Sequence, residues 1–70
     1  MENILASQEM QVEHKHLMLE VRENDRGRFL RITETAHGRR NAVIIPSTGI
    51  VEFTSAISSV LSDADKAAKA

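Results

Sequence analysis

The chain has 70 residues, a net charge of −1 and no cysteine. These values allow one domain at most and exclude a disulfide framework and a thiolate zinc site. No apolar run approaches the roughly 20 residues of a membrane span.

A chain this short buries too little surface to offset the cost of ordering it. It therefore leans on a partner, and a second copy of the same chain is the commonest kind. The opening Met1-Glu2-Asn3-Ile4 has no basic region, so no signal peptide is expected. The lack of cysteine fits a reducing compartment, and the protein is expected in the cytoplasm, or in the nucleus if its source is eukaryotic.

The first element runs from Ile4 to Val12. Gln8, Met10 and Val12 alternate with Ser7, Glu9 and Gln11, a period of two that predicts a strand. From His14 to Arg22 the pattern sharpens. Leu17, Leu19 and Val21 share one face, and His16, Met18, Glu20 and Arg22 share the other. Glu23-Asn24-Asp25-Arg26-Gly27 supplies turn residues.

A third strand follows over Arg28–Ala36, with Leu30 and Ile32 on one face and Phe29, Arg31, Thr33 and Thr35 on the other. His37-Gly38-Arg39-Arg40 makes the next turn, and the β-branched run Asn41–Ile45 is a fourth strand stopped by Pro46. The period then changes to that of a helix, with Ile50, Phe53, Ile57, Val60 and Leu61 forming one stripe. Ser47 or Thr48 serves as its cap, and the helix is expected over about 48–62. The alanine-rich tail 63–70 either frays or extends it. All three glycines fall where turns are expected.

The fold class is therefore α+β: a four-stranded antiparallel meander followed by one amphipathic helix, ββββα. The helix is expected to cover the Leu/Ile face, with Phe53 in the core. The opposite face mixes Phe29, arginine, methionine and His16, which is unusual for a plain solvent face.

Charge is unevenly placed. Residues 14–40 hold seven Lys and Arg against four Asp and Glu, a net of +3, while the flanking segments are acidic. Six of the seven basic residues are arginine, whose planar fork matches phosphate and stacks on bases. A local basic patch is what phosphate binding requires.

No motif supports an enzyme. Ser47 and Thr48 have no histidine in a motif relation to them, Glu20 and Glu34 lie on neighbouring strands with no sign of a pocket, and there is no phosphate-cradling glycine loop. His14 and His16, two apart on a strand, and His37 in a turn lack the companion carboxylate or cysteine motif of a zinc site. No cofactor and no metal is expected.

The segment Arg22-Glu23-Asn24-Asp25-Arg26-Gly27-Arg28-Phe29-Leu30-Arg31-Ile32 closely resembles the signature of the PUR-repeat family of Pur-alpha-like proteins, basic-x-Asn-x-basic-Gly-Arg-Phe-Leu-basic-Ile. Asn3 to Ser7, Lys15 to Val21, Gly38-Arg39-Arg40, Ile45-Pro46 and Gly49-Ile50-Val51-Glu52-Phe53 resemble the family's other elements, so the likeness spans about residues 3–62. The resemblance implies a ββββα repeat over 1–62, with 63–70 as a tail, and two repeats packed with their helices intertwined. A chain with one repeat would pair with itself.

The resemblance further implies binding of single-stranded, purine-rich DNA or RNA, with use in transcription or RNA regulation. It places Arg22, Asn24 and Arg26 on the family's binding hairpin and Arg28 and Arg31 on the following strand. Lys15, Phe29, Arg39 and Arg40 complete the candidate nucleic-acid-binding set. The family's aromatic positions on the second strand hold Leu17 and Met18 here. The alternative is a dimeric protein-interaction module that has kept the fold and lost nucleic-acid binding.

Overall fold

Three tight turns fold residues 3–46 of the computed structural model into one sheet with strand order β1-β2-β3-β4. The strands are β1 (Asn3–Val12), β2 (Lys15–Asn24), β3 (Gly27–Ala36) and β4 (Arg39–Pro46). Residues 2–68 are described. Met1, placed in the repeat, and Lys69 and Ala70, placed in the tail, lie outside them.

Each turn has its own chemistry. Asn24 accepts a hydrogen bond from the Arg26 amide at 2.9 Å through Oδ1, and Gly27 follows at φ 124°, a conformation that disfavours any side chain. His37 and Gly38 both have positive φ, 52° and 76°, as the type I′ hairpin demands. Glu13 takes φ 54° in the turn between β1 and β2.

The turns are shorter than the sequence suggests. Glu23 and Asn24 belong to β2, and Gly27, Arg39 and Arg40 belong to strands. Backbone pairing extends the ladders until only two residues remain at each bend. His14 is in a turn, not on β2, so it does not share a face with His16. Its ring packs 5.9 Å from that of His37 at the same end of the sheet.

Register fixes which side chains share a face. Glu20 faces Arg31, Met18 faces Thr33 and Arg22 faces Phe29, while Thr35 faces Arg40. On the other side, Leu19 and Ile32 pair, Val21 and Leu30 pair, and Ile32 and Leu30 continue to Val43 and Ile45. A bulge between Ile4 and Ala6 shifts the register of β1 against β2. Bulges of this kind bend an edge strand and increase its twist.

The helix α1 spans Ser47–Ala68, starting one residue earlier and ending later than expected. The tail carries no apolar stripe, but alanine is the best helix former, and Lys66 sits in the last turn where a cation suits the dipole. Ser47 and Thr48 lie inside the first turn, not before it, and Gly49 is the third helical residue, not part of a turn.

The expectation that the helix covers the Leu/Ile face does not hold. β4 runs straight into α1 without a loop, and α1 touches only β3 and β4. Phe53 is half-buried, and no hydrophobic side chain among the described residues is fully buried. Val60 and Leu61 are 65% and 62% exposed. The radius of gyration is 14.7 Å, against about 11 Å for a compact chain of this length. One copy therefore leaves much of its apolar sheet face and of its apolar helix stripe uncovered. No helix among the described residues is long and apolar enough to cross a membrane.

Candidate nucleic-acid interface

Strand alternation divides the nine candidate residues between the two faces of the sheet. Arg22, Phe29, Arg31 and Arg40 point to the polar face, together with His16, Met18, Glu20, Thr33 and Thr35. Asn24 and Arg26 sit at the β2–β3 hairpin. Lys15, Arg28 and Arg39 have the opposite parity and project from the ends of the apolar face.

The polar face holds a cavity of about 340 Å³ lined by Met18, Glu20, Arg22, Arg31, Thr33 and Arg40 among others. A second, of about 400 Å³, lies at the hairpin against Asn24, Arg26, Arg28 and Phe29, with Ile44 and Pro46 of β4. Phe29 is opposite Pro46, so the hairpin and the start of α1 share one end of the sheet. Of the family's two second-strand positions, Met18 reaches the polar face and Leu17 does not.

Ion pairs grade the arginines. Arg22 Nη2 donates to both oxygens of Glu20, at 2.9 and 3.1 Å, and Nη1 donates to Glu2 at 2.8 Å. These bonds hold the guanidinium charged above its usual range, with the Glu20 hydrogen bond the larger cause. Arg28 Nε donates to Glu23 at 3.0 Å, and Lys15 Nζ lies 3.1 Å from Glu34. Arg26, Arg31, Arg39 and Arg40 make no ion pair among the described residues.

Exposed pairs are worth about 0–1 kcal/mol, so Glu23 holds the Arg28 guanidinium only weakly. Arg22 is more tightly held, because its acid partner Glu20 is only 8% exposed. Glu20 is the one buried polar residue among the described residues.

Sequence reasoning missed the role of Glu20. The signal lay in the register: a turn at Asp25-Arg26 sets Glu20 directly across from Arg31. Glu34, which sequence reading set beside Glu20, belongs to the other face. Its carboxyl is held below the usual range, first by the hydrogen bond from Lys15 and then by the charge of Lys15.

Residues 1–69 match the family described as PurA ssDNA and RNA-binding protein. Over 49 residues the chain is 45% identical to transcription factor Pur-alpha 1 of Arabidopsis thaliana, a stretch that takes in 70% of this chain and 17% of that protein. With its ββββα order and its Arg22–Ile32 signature, the chain belongs to the PurA family of single-stranded-DNA- and RNA-binding proteins, the PUR-repeat family.

Proposed function

We propose that this chain binds single-stranded, purine-rich DNA or RNA as a homodimer, serving transcription or RNA regulation in the cytoplasm or, in a eukaryote, the nucleus. The observation that carries the reading is the polar sheet face, where Arg31 and Arg40, free of ion pairs among the described residues, line one cavity with Met18, and Phe29 continues the face along β3 to a second cavity at the hairpin residues Asn24 and Arg26. Arginines hold phosphates, and unstacked bases lie on guanidinium, aromatic or thioether groups. Arg22 lies on this face, and Lys15, Arg28 and Arg39, which project from the ends of the opposite face, add charge at its margins.

Residues 1–62 form the repeat, and residues 63–68 of the tail add length to the helix. Two copies joined through their helices complete the core that one copy leaves open. The exposed stripe of α1 and the exposed Val43 on the apolar face support this pairing.

Fluorescence anisotropy with labelled single strands across a salt series tests the reading. Affinity should fall steeply with salt, since each neutralised phosphate contributes about −0.7 to the slope for single strands. The double variant Arg26→Ala, Arg28→Ala should reduce that slope by roughly 1.4. Binding by the variant equal to the parent's at low and moderate salt would reject the hairpin as a contact.

The second reading is a dimeric protein-interaction module that no longer binds nucleic acid. It is favoured by the ion pairs that already occupy Lys15, Arg22 and Arg28. A partner retained at high salt, with no strand bound at low salt, would establish it.

A further inference from the structure

A buried carboxylate at the centre of an arginine-lined face is unsuited to phosphate. Glu20 is 8% exposed and lines the 340 Å³ cavity from below. It accepts two hydrogen bonds from Arg22 Nη2, and an ionised carboxylate has about four acceptor positions, so acceptor capacity remains. The Nε–H groups of Arg22 and Arg31 are buried without an acceptor among the described residues. Orphaned donors of this kind point to an acceptor supplied from outside the chain.

The cavity thus offers both an acceptor, Glu20, and donors, Arg31 across the ladder and Arg40 at the rim. Phosphate oxygens only accept, and Glu20 repels them. They suit Arg40 and the hairpin arginines instead. A base can both donate and accept.

We propose that this cavity reads one guanine base of the bound strand, with Glu20 accepting from its N1–H and N2–H and the Arg31 guanidinium donating to O6. Guanine alone among the common bases sets two donors side by side on its pairing edge with an acceptor next to them. Cytosine and adenine offer one amino group there, and uracil or thymine one imino group. Met18 lies in the same cavity, where its thioether can rest on the flat of the base. Glu20 is then a specificity residue of the sheet face, distinct from the hairpin contacts.

This rests on the nucleic-acid reading above, and the test separates the two. Anisotropy is measured with a short single strand containing isolated guanines and with the same strand carrying inosine at those positions. Inosine lacks only the N2 amino group. The parent should bind the guanine strand about tenfold more tightly, in the range a good paired contact gives.

In Glu20→Gln the ratio should fall to near one. The ratio is taken within each protein, so a change in overall affinity does not enter it. A parent ratio near one overturns the proposal without needing the variant to fold. A ratio kept in Glu20→Gln overturns the role of Glu20 while leaving strand binding intact. Failure of the parent to bind any strand overturns the nucleic-acid reading, and this assignment with it.

Discussion

Acids and bases lie close together on β2 and β3, and each is defined by the neighbours that its own strand and the register give it. Arg22 and Arg31 share a face, yet Arg22 is clamped by Glu20 and Glu2 while Arg31 has no ion pair among the described residues. Composition counted both as equal positive charge. The faces of β2 and β3 were legible from period two alone, but the pairing of Glu20 with Arg31 needed the turn to be placed to the residue.

Lys15 and Glu34 show the same effect on the apolar side. The folded-state pKa of Glu34 is lowered by Lys15. The stability it contributes is therefore fully present above the ordinary carboxylate value and is lost as pH falls through the lowered one. A carboxyl-carbon NMR titration should place the Glu34 midpoint below that ordinary value. In Lys15→Met the midpoint should move up. An unmoved midpoint would mean that Lys15 is not the cause.

At the scale of elements, glycine separates what sequence pattern resolves from what it does not. The reading that every glycine marks a turn holds for Gly38, at φ 76°, while Gly27, at φ 124°, opens β3 just after the two-residue bend. It fails for Gly49, which lies in the first turn of α1. A Pro-Ser-Thr-Gly run has turn composition, but β4 passes straight into the helix and the run is absorbed.

Opposite effects of one substitution follow. Gly38→Ala puts a side chain at positive φ and should destabilise by about 1–2 kcal/mol. Gly49→Ala places a Cβ 3.7 Å from Ile45 Cγ2, an ordinary contact, and should stabilise by up to about 1 kcal/mol through helix propensity. Denaturant melts of the two variants at equal concentration check the signs. The longer helix has a similar explanation: pattern reading ended α1 where the apolar stripe ends, whereas alanine needs no stripe to stay helical.

At the scale of the molecule, the apolar pattern was legible but its use was not. The stripe Phe53, Ile57, Val60 and Leu61 reads as a face that packs on the chain's own sheet. In the structure these four residues and Ala56 form an apolar groove of about 290 Å³ on the helix itself. A helix packed on its own sheet would need a loop to turn it back, and β4 provides none. The same hydrophobic period serves intrachain and interchain packing equally, so only chain geometry decides between them.

A two-fold pairing of helices uses each groove residue twice, because the two patches are the same surface. Each fully buried large side chain contributes about 1.5–3 kcal/mol, so the contact is of the order of the whole stability of a small domain. Folding and association should then be one event. Sedimentation should give twice the chain mass, and the melting temperature should rise with protein concentration. Ile57→Asp with Leu61→Asp buries four carboxylates in the paired form. It should abolish both the dimer and the cooperative melt, while the exposed control Val51→Asp on the helix should leave both in place. A parent that sediments as a monomer with a concentration-independent melt would show that the open core is closed in some other way.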